Sequence, residues 1–443
     1  MISSFISTAP HCRFNLTPIA QLSAAPTVEY AQHHIRARSE SPADRKTLAL
    51  LDGGLRPTFS PVNVTEVFEP ETCGEPIELP MPRSSISTRK DASSLVFGMA
   101  TTVERLRRNH GHMRHWMSHS KASIVAVVEE DPTASDLEAD WRREGIQIAI
   151  TTSDASFQDR LIGLLNTTYS YAVSNGLPTE WVILTDDDTF FPSIPRLLSR
   201  LARYDHREPF YIGGLSEPRI DFGLIGCFAF GGGGMVFSMP LIEELAPHVD
   251  DCIKNTGAPG GDWRIGQCVY RYTRTRLTTE WGLHQLDLTG DIGGLFESGF
   301  SPLSLHHWRG WKGWKDIPMD KVGLVSPISG SENLFNRWAS ADGQWIFTNG
   351  FSIVQYADGI RPDMSKMELT FNGEMEAFEH ALGPFRPKLE PDEEKTSYLF
   401  VHALEDDLAV RQYYAHHDGD VIDRVIELVW LKDGKPYQLN ALY

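Results

Sequence analysis

The apolar run Trp181-Val-Ile-Leu-Thr185 stops at three consecutive aspartates, Asp186, Asp187 and Asp188, and Phe190-Phe191-Pro192 follows almost at once. An apolar run this short reads as a buried strand. Acids at the C-terminal end of such a strand stand at the sheet edge where α/β folds place their ligands. Three adjacent anions repel one another unless something cationic joins them. A divalent metal is the simplest such group, because hard cations such as Mg²⁺ and Mn²⁺ take carboxylate oxygen.

The preceding sequence alternates strand and helix. Ser94-Leu-Val-Phe-Gly-Met-Ala100 and Ser123-Ile-Val-Ala-Val-Val128 read as strands, with a basic amphipathic helix over residues 103–117 between them, and Ile146-Gln-Ile-Ala-Ile150 as a third strand. Asp154 is expected to cap a helix that carries Phe157, Leu161, Leu164 and Leu165 on one face and ends near Gly176. This alternation predicts an α/β catalytic domain, a largely parallel sheet wrapped by helices, over residues 91–325. Residues 1–50, rich in Ser, Pro, Ala, His and Arg without a period, are expected to form a flexible stem. Residues 51–90, with many prolines, should lie extended over the next domain. Residues 326–443 read as a small, mainly β region, because Asn349-Gly350 sits between two β-rich runs and further strand patterns occur at residues 396–402 and 421–431.

A chain of 443 residues exceeds what one core holds, so two domains are expected. The formal charge of −18 argues against a nucleic-acid or anionic-membrane partner, and any anionic ligand would need a local cation. No stretch reaches the length of a membrane span, and residues 1–9 lack the features of a signal peptide, so the chain as given is expected to be soluble. The five cysteines, Cys12, Cys73, Cys227, Cys252 and Cys268, show no zinc spacing; the last three fall in one segment and fit either a disulfide or buried thiols. Glycosylation sequons occur at Asn15, Asn63 and Asn166.

Three later segments carry chemistry-bearing residues. Gly231, Gly232, Gly233 and Gly234 lie between apolar runs, where backbone without Cβ atoms can approach a ligand and present N–H groups. Asp262 precedes a helical pattern, a place for an N-cap or for a general base. His306-His307 ends another apolar stretch, and paired histidines beside an acid cluster suit metal binding. Thr101 and Thr102 close the first strand, where a nucleotide would lie, and Arg105 or Arg107 could reach its phosphates; a helix cap and surface charges are the plain alternatives. Trp308, Trp311 and Trp314 offer rings for acceptor sugars or simply for the core.

Taken together, these segments resemble the Fringe-like glycosyltransferases of family 31, especially the fungal and plant branch related to Fringe. Residues 181–191 look like the family's strand followed by DDD, and Phe210-Tyr-Ile-Gly-Gly214 like its next strand. Residues 230–238 are similar to its GGAG segment, and Gly261-Asp262 with Ile265-Gly266 to its PDD…IG segment. Glu280-Trp-Gly-Leu-His-Gln-Leu-Asp287, Gly290-Asp291 and Pro302-Leu-Ser-Leu-His-His307 look like the long signature that closes the domain. The resemblance implies a GT-A fold, Mn²⁺, a UDP-sugar donor, a glycan or glycoconjugate acceptor, and inversion at the anomeric carbon.

By matched position, Asp188 is the main metal ligand, with Asp186 and Asp187 bridging to metal or ribose. His307 or His306 supplies the imidazole, and Asp262 is the base. From the residues themselves, Gly232 to Gly234 are expected to line the donor, and Trp263 and Trp308 to face the acceptor. The sequence departs from the pattern at Gly261, where the family often has Asp, at Gly233, where it has Ala, and at bulky Trp263, which bears on acceptor choice. The family is usually Golgi lumenal, and contact with the membrane is expected only through an anchor not seen in this sequence. A glycan-binding protein on a vestigial transferase fold and a metal-dependent phosphohydrolase are the competing readings.

Overall fold

The computed structural model describes residues 14–40, 49–51, 55–68, 74–82, 91–220, 223, 226–257, 260–309, 316–361, 363–364 and 366–432. Strands Leu95–Ala100, Ser123–Val128 and Gln147–Thr152 lie side by side and parallel, connected by helices Val103–Met117 and Ala134–Arg143. After helix Phe157–Ser174 the chain returns to the other side of the first strand as Trp181–Leu184, again parallel. Antiparallel Met235–Ser238 comes next, then Tyr211–Gly213 and Leu277–Thr279, to complete seven strands. This is the GT-A architecture the resemblance implied. Strand order reverses between Leu95–Ala100 and Trp181–Leu184, so a crevice opens at their C-terminal ends, beside the aspartates.

Local chemistry fixes the flanking helices. The Thr102 hydroxyl accepts the Arg105 N–H at 3.1 Å and caps Val103–Met117, while Val103, Leu106, Met113 and Trp116 face the core. Ser156, rather than Asp154, caps the long helix: its hydroxyl accepts the Asp159 N–H at 3.2 Å and donates to the Asp159 carboxylate at 2.8 Å. No helix among the described residues is long and apolar enough to cross a membrane.

A second, ten-stranded sheet holds the C-terminal region. Trp345–Thr348 and Ser352–Tyr356 form the hairpin around Asn349-Gly350, and Lys395–Glu405, Ala409–Asp418 and Val421–Leu431 continue the sheet as a meander. Its next strand is Ala24–Glu40, parallel to Val421–Leu431 and paired on its other edge with Ser60–Asn63 and Ile77–Pro82. The expectation of a flexible stem therefore fails for residues 24–40. Residues 29–35 pair with Val421–Leu431, 27–30 with Ser60–Asn63 and 35–40 with Ile77–Pro82, and Gln32 and Tyr30 donate to the buried Glu427 carboxylate, which also pairs with Arg411 at 2.8 Å. Residues 60–63 and 77–82 likewise join this sheet instead of lying over the catalytic one. The Trp338 indole N–H donates to the Pro80 carbonyl at 2.8 Å, so strands near opposite ends of the sheet approach each other as it curls.

The two sheets share one core, in which Phe97, Phe191, Leu305, Phe296, Trp338, Phe347 and Trp430 belong to a single contiguous cluster. A buried charge network also ties the ten-stranded sheet to helix Gly293–Glu297 and to the short strands Met367–Glu368 and Phe385–Arg386. Lys395 lies 3.0 Å from Glu297 and 3.1 Å from Glu368, which pairs with Arg386 at 2.6 Å. Deleting residues 1–41 should lower the thermal midpoint by roughly 10 °C or leave the chain insoluble, because the strand that joins Val421–Leu431 to Ser60–Asn63 and Ile77–Pro82 is lost and the edge of Val421–Leu431 is bared. An unchanged melting curve would mean the segment is dispensable.

Candidate active site

The turn after Trp181–Leu184 sends its three carboxylates in different directions. The Thr185 N–H still bonds to the Gly98 carbonyl at 3.0 Å, and the Thr189 N–H closes back on the Asp186 carbonyl at 3.2 Å. Phe190 and Leu305 then exchange two backbone hydrogen bonds, of 2.8 and 2.9 Å, which brings His306 alongside the aspartates. Its Nε2 lies 3.3 Å from Asp186 Oδ2 and 3.3 Å from Asp188 Oδ1. Ligand atoms of Asp186, Asp188 and His306 all fall within 4.8 Å of one another, a donor set of two carboxylates and one imidazole that fits a divalent cation.

Electrostatics supports the same grouping. Burial works against protonation of His306, yet the Asp186 and Asp188 carboxylates outweigh it and push its pKa up to about 10. Burial alone would raise Asp188, but His306 and then Arg105 hold it below the usual carboxylate range. Without a metal, the imidazole is protonated at neutral pH, so a cation entering here must displace a proton.

Asp187 points the other way. Only 1% exposed, it takes three bonds from Arg105, at 3.1, 2.8 and 2.7 Å, one from Asn109 at 2.7 Å, and one from the Thr101 hydroxyl. Its carbonyl accepts from His112 Nε2 at 3.0 Å; burial, then Arg309, lower the His112 pKa to about 3, which keeps the ring neutral. Asp187 and Thr101 are thus engaged inside the protein, and the Thr102 side chain serves the helix cap. Neither Asp187 nor Thr101 presents the free polar group expected for donor binding, whereas the part-exposed Thr102 hydroxyl, which accepts in the cap, keeps its O–H to donate. Arg105, whose side chain is 42% exposed and lies 3.7 Å from Asp188, still borders the crevice.

The histidines and tryptophans also separate. His307, at φ +48°, turns away from the aspartates to place Nδ1 2.9 Å from Asp287, which accepts from the Ser216 hydroxyl at 2.9 Å. Trp308 is buried, donates to the Asp188 carbonyl, and carries the Arg309 guanidinium 4.2 Å above its ring. It positions the turn and cannot stack on an acceptor. Trp311 and Trp314 lie outside the described residues. Trp263 is part-exposed and stacks on Phe228, itself stacked on Phe230 at 4.9 Å.

The glycines serve packing more than ligand contact. A Cβ at Gly232 would fall 2.1 Å from His306 Nδ1, so only glycine lets the chain pass behind that ring. The Gly233 N–H goes to Gln285 at 3.0 Å and the Gly234 N–H to the Gly231 carbonyl at 2.9 Å, so neither N–H is free for a ligand. The Gly231 N–H bonds to Asp262 Oδ2 at 3.2 Å. Asp262 therefore lies across the glycine turn from His306. It stands in the first turn of helix Gly261–Tyr272, whose N-cap is Gly260.

Burial raises Asp262 above the usual carboxylate range, the Gly231 and Trp263 N–H groups resist, and the charge of Asp186 adds to the rise. Arg264, bonded to Asp159 at 3.0 Å and to the Ile253 carbonyl at 2.6 Å, and a Cys252–Cys268 disulfide hold that helix in place; Cys227 is a free, exposed thiol. Sequence reading did not single out Asn109, His112, Gln285 or Arg309. The first two had a visible signal: with Arg105 they form an i, i+4, i+7 polar stripe on a face otherwise apolar.

Residues 226–312, from the glycine turn past Asp262 to the histidine pair, match the family described as "Protein of unknown function, DUF604". Human chondroitin sulfate synthase 3 is 27% identical over 113 residues, 24% of this chain and 13% of that protein. Human beta-1,3-glucosyltransferase is 39% identical over 93 residues, 20% of this chain and 17% of that protein. The matched segments are thus less than a fifth of either relative's length. Among solved structures, a glycosyltransferase involved in the glycosylation of the major capsid of PBCV-1 gives a TM-score of 0.31 at 11% identity, covering 51% of this chain and 96% of that one. The sequence matches support a relationship to family 31 glycosyltransferases at large and do not single out the Fringe branch.

Asp187→Ala should cost about 2–3 kcal/mol in chemical denaturation, because it strands a partly exposed Arg105 and a buried Asn109. Asp186→Ala should cost less, about 1 kcal/mol, because Asp188 remains to pair with His306. Equal losses would contradict the division of roles.

Proposed function

We propose that this chain is an inverting, metal-dependent glycosyltransferase that moves a hexose from a UDP-sugar to a hydroxyl of a glycan or glycoconjugate, forming a β-linkage. The observation that carries this reading is the pair of opposed carboxylate environments across one glycine turn. Asp188, beside His306 and Arg105, is held below its ordinary range, whereas Asp262, with no cationic partner among the described residues, is raised. Groups whose surroundings push their affinities for protons apart suit different roles.

Asp186, Asp188 and His306 would hold the cation, with Mn²⁺ as the proposed ion; when bound, it supplies positive charge against the departing diphosphate. Arg105, fixed by Asp187, adds a permanent cation beside the same crevice. Across the turn, Asp262 accepts the proton of the acceptor hydroxyl as that oxygen bonds to the anomeric carbon and the bond to the diphosphate breaks. Attack from the side opposite the leaving group inverts the centre. Each carboxylate oxygen of Asp262 accepts one backbone N–H and retains a lone pair for this proton. Trp263, next to the base and backed by Phe228, is placed to meet the acceptor ring. The Cys252–Cys268 disulfide favours an oxidising compartment, in keeping with a proposed site of action in the secretory pathway.

Asp262→Asn should lower kcat by about 10²–10⁴-fold while calorimetric Mn²⁺–UDP binding is unchanged. Because the base must be ionised, wild-type kcat should fall with decreasing pH through a pKa above the usual carboxylate range. A variant within threefold of wild type would remove Asp262 as the base. Mn²⁺ affinity should rise about tenfold per pH unit between pH 6 and 8, as His306 gives up its proton. A pH-independent affinity would place the metal elsewhere.

A further inference from the structure

Beside helix Ile194–Leu201 lies a cleft of about 420 Å³, lined among others by Arg196, Arg200, Arg203, Glu280, Trp281 and His284. Three arginines against one acid make it a cationic enclave in a chain of net charge −18. Two of the three are braced: Arg200 lies 2.5 Å from Glu280, and Arg196 donates to Ser301 at 2.7 Å. Arg203 is exposed and has no ion pair among the described residues.

Trp281 is 43% exposed, whereas Trp116, Trp141, Trp181, Trp308, Trp338, Trp345 and Trp430 are all buried. Its ring is steadied by an edge contact with His380, at 5.9 Å between centroids. His284, 4% exposed, turns Nδ1 to the buried Glu217 at 3.2 Å, which leaves Nε2, on the far side of the ring, with no hydrogen-bond partner. The ring packs edge-on against Phe300, 4.5 Å between centroids, and closes the inner wall of the cleft.

We infer that this cleft is a saccharide-binding site for a negatively charged sugar, one that bears a carboxylate or a sulfate ester. Arginine recognises both anions through its planar fork of donors. An exposed indole offers the flat apolar surface on which the C–H face of a pyranose rests. The volume suits roughly one to two sugar rings, at the small end of ligand pockets. The parallel pair Leu283–His284 and Ser304–Leu305 separates the cleft from the transfer centre. The His284 carbonyl accepts the His306 N–H at 3.1 Å, while the His284 ring lines the cleft. The site therefore stands on its own geometry, and its occupancy requires neither nucleotide nor metal.

The test is calorimetric titration of the full chain in EDTA, without nucleotide, using three tetrasaccharides of equal length: glucuronate-containing, sulfated and neutral. At least one acidic tetrasaccharide should bind at least tenfold more tightly than the neutral one, and which of the two does so identifies the anion. Arg203→Glu and Trp281→Ala, both at exposed positions, should each weaken that binding roughly tenfold at unchanged melting temperature. Equal affinity for the neutral sugar would overturn the inference, as would wild-type affinity in both variants, or full displacement by an equimolar amount of inorganic sulfate. Because donor and metal are absent, failure here leaves the transferase reading untouched, and loss of transfer in Asp262→Asn leaves the cleft untouched.

Discussion

Three carboxylates in succession cannot occupy one turn without compensation, and the fold solves this by dividing them. Asp187 is drawn inward to Arg105, Asn109 and Thr101, whereas Asp186 and Asp188 are turned outward to His306. The inward pairing fixes the turn and commits a guanidinium to the crevice rim. The outward pair keeps its negative charge for a cation. Removal of Asp187 would therefore disturb Asp186 and Asp188 indirectly, through the turn that all three share.

The second constraint is long-range. His306 reaches Asp188 because Phe190 and Leu305 share a backbone bridge, and the chain can pass behind its ring only because residue 232 has no side chain. The same glycine turn donates its first N–H to Asp262. One short segment thus sets the separation between an acidic, metal-suited cluster and a lone, desolvated carboxylate. The disulfide and Arg264 hold the helix on the Asp262 side, so the carboxylate is carried by a braced helix rather than by a loop.

How much of this was legible in the sequence follows from how each element is stabilised. Strands 95–100, 123–128 and 181–184 are buried along their whole length and so appear as unbroken apolar runs. Helix Val103–Met117 was readable from its period and its Thr102 cap. Strand Ala24–Glu40 was not, because much of what holds it is backbone pairing and the buried acid Glu427, so its Gln, His and Arg residues looked like stem. In the site, the residue types were visible but their directions were not. Sequence alone could not tell Asp187 from its neighbours or His306 from His307, because packing between residues some 80 to 120 positions apart decides both.

The central claim is that Asp186, Asp188 and His306 form the cation site through which a nucleotide donor is held. The most direct measurement is calorimetric titration of UDP into the wild-type chain, His306→Ala and His307→Ala, each with and without Mn²⁺. The account predicts metal-dependent UDP binding that is lost in His306→Ala and kept in His307→Ala. Binding that is independent of Mn²⁺, or that survives in His306→Ala at wild-type affinity, would contradict it.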